Sequence, residues 1–399
     1  MRQNEKMQRY KLAVLVSHPI QYQTPLFRKI ADHPKIDIMV YFCSDRYVKE
    51  TIELDLGISF KWDVPLLKGY KYKLLPNLSP KCFSSFFGQI NPSIVRELRR
   101  NQYDAVWVHG YASLTNWLAF CGAWVARTPL LIRGESHLMN YRPLWKRAIK
   151  RAGLFLLFKG ISAFLPIGSL NKVYYQYYGV SDDKMFLSPY AVNNEFFSKK
   201  YHEIYHKREY LKKELDIHRE LPVVLYASKM TPRKRAMDLL RAHEKIQKEI
   251  DVALVFVGDG VERLTLENYT KSHNLKNVYF VGFKNQTELP DYFVIADIFV
   301  LPSTDEPWGL IINEAMNFGL PIITTDKVGA APDLVKNGEN GFIYSVGDIE
   351  KLASLLLKLL QEPDLRENMG KRSLEIIDKW SYKEDIEGIL AALEYTRKN

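Results

Sequence analysis

Residues 296–335 read ADIFVLPSTDEPWGLIINEAMNFGLPIITTDKVGAAPDLV. An apolar run at 298–301 has the length and β-branched content of a buried strand. A polar loop of Ser303, Thr304, Asp305 and Glu306 follows it. Pro307, Trp308 and Gly309 then open a helical pattern over 310–318, and a second buried strand is expected at 322–324. This is one turn of a strand–loop–helix–strand array. The first amides of a helix have no intrahelical acceptor, so its start offers donors to anions and hydroxyl oxygens. Glu306 stands in the loop before that start, and Glu314 lies about two turns along an otherwise apolar helix. A carboxylate in such a helix needs a partner or a ligand, whereas its neighbours Ala315, Met316 and Phe318 read as core.

The same alternation extends in both directions. Toward the C-terminal side of residue 221 the strand candidates are 223–227, 253–257 and 278–281, with helices at 235–250, 261–273, 288–295 and 349–360. Before residue 190 they are 12–16, 36–42, 105–109, 130–133, 163–167 and 184–187, with helices at 26–30, 93–100, 114–126, 145–158 and 170–178. Continuous apolar strands separated by amphipathic helices predict parallel sheets covered on both faces. Two such arrays predict two doubly wound α/β domains, 1–190 and 191–380, with a last helix at 381–399 compatible with packing back on the first. Ligands of such sheets bind at the carboxyl ends of the strands, so two facing Rossmann-like domains make the cleft between them the expected site.

The chain has 399 residues, 47% of them apolar and 26% charged. That supports two globular domains and excludes wholesale disorder or a collagen-like chain. No run reaches the roughly 18 apolar residues of a spanning helix, and 12–16 is too short for a signal-peptide core. Cys43, Cys82 and Cys121 are odd in number and far apart, so neither a disulfide framework nor a zinc cluster is expected. A cytoplasmic protein is the expectation. The net charge of +10 is unevenly spread. Residues 1–190 hold 27 Lys and Arg against 13 Asp and Glu, and residues 191–399 hold 29 against 33. The basic half fits a phosphorylated substrate, an anionic lipid surface or nucleic acid.

The 296–335 stretch resembles the family-4 glycosyltransferases, retaining enzymes of the GT-B fold (glycosyl transferases group 1). Their signature places a Glu, seven residues and a second Glu in E-x-F-G-x-x-x-x-E-A-M-x-x-G-x-P. Here it stands as Glu306, Trp308 in place of Phe, Gly309, Glu314, Ala315, Met316, Gly319 and Pro321. The match continues through Gly329-Ala330-Ala331-Pro332-Asp333 and Asn340-Gly341-Phe342. The resemblance implies that Glu306 contacts hydroxyls of a donor sugar, that the amides of Trp308, Gly309 and Leu310 hold that sugar, and that Glu314 takes the ribose hydroxyls. A carboxylate suits both tasks because it accepts two neighbouring O–H donors. The donor would be a nucleotide-diphosphate sugar. The product would keep the donor's anomeric configuration, and no metal would be needed.

The resemblance extends to other strand ends. A departing diphosphate needs positive charge, and the turn after strand 223–227 holds Lys229 and Lys234 where the family has Arg and Lys. Lys229 lacks the planar fork of Arg. The resemblance places the Gly258-Asp259-Gly260 turn beside the nucleotide, and Gly282-Phe283-Lys284 looks like the loop bordering the base. Arg263 stands where a dinucleotide fingerprint needs glycine, which argues against an NAD site. His109 ends strand 105–109, near where the family's His reaches the donor sugar. In the loop after strand 12–16, His18, Gln21 and Tyr22 are candidates for the acceptor side.

Two other readings stay open on the sequence: a GT-B-shaped nucleotide-sugar hydrolase or epimerase, and a non-catalytic basic nucleic-acid-binding protein. No nucleic-acid-reading motif supports the latter. The stretch Arg142–Arg151 runs into apolar 154–158 and, with Tyr70-Lys71-Tyr72-Lys73, matches a helix lying on an anionic bilayer. A glycan or lipid-linked acceptor at the inner face of a membrane, in polysaccharide synthesis, is the resulting expectation.

Overall fold

The structure is a computed structural model, described here over residues 9–53, 58–81, 85–139, 143–398. Cys82 and Arg142 lie outside these. The chain divides into two compact units. Unit 1 comprises Met1–Thr51, Pro65–Tyr190 and Tyr382–Asn399, and unit 2 comprises Ile52–Val64 and Ala191–Ser381.

The strands, in chain order, are β1 (Tyr10–Val16), β2 (Ile36–Phe42), β3 (Thr51–Glu53), β4 (Ile58–Phe60), β5 (Lys71–Leu74), β6 (Ala105–His109), β7 (Leu130–Arg133) and β8 (Ala163–Phe164). There follow β9 (Val223–Ala227), β10 (Ala253–Val257), β11 (Val278–Gly282), β12 (Ile298–Leu301), β13 (Ile322–Thr325) and β14 (Gly341–Tyr344). Unit 1 holds a six-stranded sheet in the order β5-β2-β1-β6-β7-β8, and unit 2 holds one in the order β11-β10-β9-β12-β13-β14. All recorded pairings in both sheets are parallel. β3 and β4 form a separate two-stranded ribbon.

The central strands are buried on both faces because every residue is apolar: Leu12–Leu15, Val223–Tyr226 and Ala253–Phe256 are at most 1% exposed. Helices from either side close over them, as parallel sheets require. In unit 2, for example, Leu239, Leu240 and Ile246 of helix Ala236–Ile246 pack with Leu356 and Leu359 of helix Ile349–Gln361.

The element boundaries depart from expectation where polar residues hide the pattern. No assigned strand forms over 184–187; residues Asp182–Lys184 make a 3₁₀ turn and Met185 makes an isolated bridge to Phe164. The segment still runs beside the end of β8, with Phe186 N donating to Phe164 O and Ser188 N to Pro166 O, both at 2.9 Å. β5 was not anticipated as a strand, because Lys71, Tyr72, Lys73 and Leu74 are all exposed. It is an edge strand whose lysines are matched to Asp37 (2.7 Å) and Glu97 (2.9 Å). Those lysines therefore add less to a basic surface than the sequence implied.

The last helix, Tyr382–Lys398, belongs to unit 1. Asp385 on it is fully buried and grips Arg133 at the end of β7 through both carboxylate oxygens, at 3.1 and 3.0 Å. Gly388 lets the helix backbone press onto residue 187: a Cβ there would lie 1.9 Å from the carbonyl oxygen of Leu187. Among the described residues no helix is long and apolar enough to cross a membrane.

Candidate functional site

In unit 2 the strand order reverses between β9 and β12, and the loops leaving these two strands meet at their carboxyl ends. The amide of Thr304 donates to the carbonyl of Arg233 at 2.9 Å. Lys234, in the 3₁₀ turn Pro232–Lys234, reaches across to pair with Glu306. Both side chains are nearly enclosed, Lys234 with 11% and Glu306 with 13% of its surface exposed. Burial lowers the Lys234 ammonium from its ordinary range, and Arg233 and Lys229 press it the same way, while Glu306 opposes them. Lys229, Lys234 and Glu306 thus share one electrostatic site. Arg235 adopts the left-handed conformation at φ 51° and pairs with Asp238 at 3.0 Å.

The Gly258-Asp259-Gly260 turn packs against this loop. Met230 N donates to Asp259 O at 2.8 Å, and a Cβ on Gly258 would sit 2.1 Å from the Ser228 carbonyl oxygen. Gly258 at φ 128° and Gly260 at φ 150° adopt backbone that side chains disfavour. The glycines therefore serve close approach of two strand-end turns. Gly258 N donates to Gly282 O at 2.8 Å, which ties in the end of β11.

Gly309, at φ 100°, starts helix Leu310–Met316, which is shorter than the expected 310–318. The Trp308 indole turns inward: it is 3% exposed, donates to Asn313 Oδ1 at 3.0 Å and packs on Trp380 at 5.3 Å. The indole N–H is therefore already satisfied inside unit 2, and the Trp308 carbonyl accepts from Ala330 N at 2.9 Å. Glu314 lies on this helix with an enclosed carboxyl, and burial alone pushes it up to about 8.

Phe283 meets Phe60 and Trp62, with ring centroids 4.8 and 6.5 Å apart. The same segment is pinned where Asn285 Nδ2 donates to Lys61 O (2.8 Å) and Thr287 N to Asp63 (3.0 Å). Lys284 lies 3.5 Å from Glu288 and over the Tyr292 ring. The part played by residues 58–64 in covering Phe283 escaped the sequence reading, since nothing in the pattern shows so early a segment joining unit 2.

In unit 1 the strand order reverses between β1 and β6, and a pocket of about 250 Å³ opens at the carboxyl ends of β1, β6 and β7. Gln23, His109, Arg133, Glu135 and Tyr190 line it, over an apolar floor of Val16, Ile20 and Ile167. His109 lies here as the strand-end reading expected. His18, Gln21 and Tyr22 do not line it; the turn instead presents Ser17, Ile20 and Gln23. His18 packs on Tyr47 at 5.3 Å and Tyr22 stands edge-on to Tyr190 at 5.6 Å. Gln23 and Tyr190 were not singled out, and Glu135 was legible only as one member of the strand-end polar cluster Arg133-Gly134-Glu135-Ser136-His137, with no role of its own.

Two parallel six-stranded sheets in the order 3-2-1-4-5-6, each flanked by helices, define the GT-B fold. Solved structures agree over nearly the whole chain. A glycosyltransferase from Rickettsia africae ESF-5 matches with a TM-score of 0.74 at 18% identity, covering 98% of this chain and 99% of that one. HepE from Anabaena, in complex with UDP, matches with a TM-score of 0.72 at 17% identity, covering 96% and 99%. Residues 207–375 match the family model of the glycosyl transferases group 1. N-acetyl-alpha-D-glucosaminyl L-malate synthase of Bacillus anthracis is 33% identical over 177 residues, 44% of this chain and 46% of that protein. The chain spans about half the length, or less, of the curated relatives it matches.

Proposed function

We propose that the protein is a retaining glycosyltransferase. It moves a hexosyl-type unit from a nucleotide-diphosphate sugar to a hydroxyl of a glycan or lipid-linked acceptor, in polysaccharide or glycolipid synthesis on the cytoplasmic side of a membrane. The observation that carries this reading is the enclosed Lys234–Glu306 pair, with Lys229 beside it, at the point of unit 2 where the strand order reverses. Open α/β sheets bind ligands at this point. HepE, of the same fold, was solved with UDP and with UDP-glucose, which supports the donor class.

On this reading Lys229 and Lys234 face the diphosphate and Glu306 accepts from hydroxyls of the transferred sugar. In the transition state the anomeric C–O bond to the phosphate breaks and negative charge grows on the leaving oxygen. Ammonium groups already fixed there stabilise that charge without reorganising. The acceptor oxygen attacks from the face the phosphate leaves, and its proton passes to the departing phosphate. Lysines supply the countercharge, so no divalent metal is required. Glu314 takes the ribose hydroxyls, and the Gly258–Gly260 turn and the Phe283–Lys284 loop border the nucleotide. His109 is a further candidate for contact with the donor sugar, and the loop bearing His18, Gln21 and Tyr22 is assigned to the acceptor side.

Glu306→Gln and Lys234→Ala should each lower turnover by roughly 100-fold while leaving the fold intact. Near-normal turnover in either removes that residue from the site. Activity should survive excess EDTA, and NMR of the new linkage should show a retained anomer. Donor loss at the full rate without any acceptor would favour a hydrolase instead.

A further inference from the structure

We propose that Trp308, Asn313, Asn317, Asn194 and Trp380 are positioning residues, joined in a closed circuit that ties the loop bearing Glu306 to both ends of the main stretch of unit 2. A sugar engaged by Glu306 is thereby registered where the chain enters and leaves that stretch, Ala191–Ser381. This deepens the glycosyl-transfer reading and rests on it for the ligand.

Each link is a direct contact. The Trp308 indole N–H donates to Asn313 Oδ1 at 3.0 Å. Asn317, which ends helix Leu310–Met316, donates from Nδ2 to the Asn313 carbonyl at 2.8 Å and to Asn194 Oδ1 at 3.0 Å. Asn194 Nδ2 in turn donates to the carbonyls of Ile377 at 2.9 Å and Trp380 at 3.3 Å. The Trp380 ring completes the circuit by packing on Trp308, with centroids 5.3 Å apart. Two backbone carbonyls cannot donate, so Asn194 must turn its Nδ2 to them and its Oδ1 to Asn317. Asn317 must then answer with Nδ2, and the indole, which only donates, fixes Asn313 in the same way. Every amide thus has one orientation. Asn313 is fully buried, and Trp308 and Asn317 nearly so, hence losing one link leaves buried polar groups unmatched.

The loop is held from its other side too. Glu306 N donates to Lys327 O at 3.2 Å and Gly329 N to Glu306 O at 2.9 Å. A Cβ on Gly329 would lie 1.9 Å from Pro307 O, so the two backbones press together without a gap. Glu306 therefore rides on a loop pinned by residues 327–330 on one side and by the Trp308 indole on the other. Any shift of that loop toward a sugar hydroxyl pulls on the indole, and the indole is bonded through to Asn194 and packed on Trp380. These two stand three residues and one residue inside the ends of the Ala191–Ser381 stretch. Coupling of this kind is reciprocal: whatever the sugar does to the two ends, a change at the ends does to sugar affinity. Trp308 is also the position where the signature has Phe. A Phe ring could pack on Trp380 but has no N–H for Asn313, so the circuit depends on the residue by which this chain departs from the signature.

Hydrogen exchange followed by mass spectrometry on the full chain tests this. The probes are UDP-glucose, UDP-N-acetylglucosamine, GDP-mannose and ADP-glucose, each against its free diphosphate UDP, GDP or ADP, with binding checked by thermal shift. At least one sugar nucleotide that binds should slow exchange over 191–197 and 376–381 by roughly fivefold or more beyond its free diphosphate. Trp308→Phe should erase that difference and weaken the sugar nucleotide by about tenfold, while the free diphosphate binds as before. A purely structural Trp308 would instead lower the melting temperature and weaken both ligands alike. Trp308→Phe with Asn313→Leu removes both partners of the first link, so it should regain melting temperature yet stay uncoupled. That double variant carries the test if the single one folds poorly. Protection that the free diphosphate already gives in full, or that survives both variants, overturns the circuit. No thermal shift with any of the nucleotides sinks the glycosyl-transfer reading itself.

Discussion

Burial of the Glu314 carboxyl moves its ionisation from the ordinary range up to about 8. An acid whose folded value is raised favours the native state while it keeps its proton. Its contribution is full below about pH 4.5 and is lost as pH climbs from there through 8, at up to about 1.4 kcal/mol per pH unit. Glu314→Gln should therefore raise the melting temperature at pH 8.5 and flatten its decline between pH 5 and 8.5. The same substitution should weaken nucleotide binding by about tenfold above pH 8, where the ionised carboxyl accepts from both ribose hydroxyls and the amide cannot replace its charge. A variant whose melting curve follows the native pH profile would show that the carboxyl is not the group titrating. The placement of Glu306 in the loop and of Glu314 on the helix was legible because the strand–loop–helix setting is written in the sequence. Gln23 was not, since its position depends on which way one turn faces the pocket, and no local pattern encodes that.

Among the elements, helix Leu144–Lys159 departs most from ordinary burial. Leu154, Leu157 and Phe158 pack into the core, yet Trp145, Ile149 and Leu156, along one stripe at helical spacing, are 63%, 67% and 69% exposed. Lys159, over the Phe155 ring, lies beside the stripe, whereas Arg151 lies over the Tyr177 ring on the other side of the helix. A bilayer surface rewards this combination, apolar side chains in the acyl boundary and ammonium groups at the phosphates. Vesicles containing anionic lipid should bind the protein at low salt and release it near 0.5 M NaCl, and Trp145→Glu with Ile149→Glu should abolish binding. Equal binding by the double variant would place any membrane contact elsewhere. The terminal helix makes a contrasting case, with its charge sealed inside. Removing one partner of a buried ion pair costs about 3–5 kcal/mol. Asp385→Ala should thus lower the urea midpoint strongly, whereas an apolar pair in place of Arg133 and Asp385 should recover much of the loss. The sequence revealed elements with continuous apolar cores, such as β1, β9 and β10. It concealed β5, whose exposed Lys-Tyr-Lys-Leu edge reads as surface, and the shortness of β8.

For the molecule as a whole, the alternation of strands and helices was enough to yield two doubly wound sheets, because a parallel sheet writes its burial directly into runs of apolar residues. Chain routing was less legible, since routing depends on contacts between distant segments. Residues Ile52–Val64 belong to unit 2 although unit 1 sequence flanks them on both sides. The backbone consequently passes between units at four junctions, after residues 51, 64, 190 and 381. For anyone building hybrid enzymes, a single recombination point at 190 would separate residues 58–64 from Phe283 and helix Tyr382–Lys398 from Arg133. A working exchange of the nucleotide-binding module would have to carry two stretches of gene at once, so lineages assembled by simple fusion of halves would begin with both modules incompletely covered.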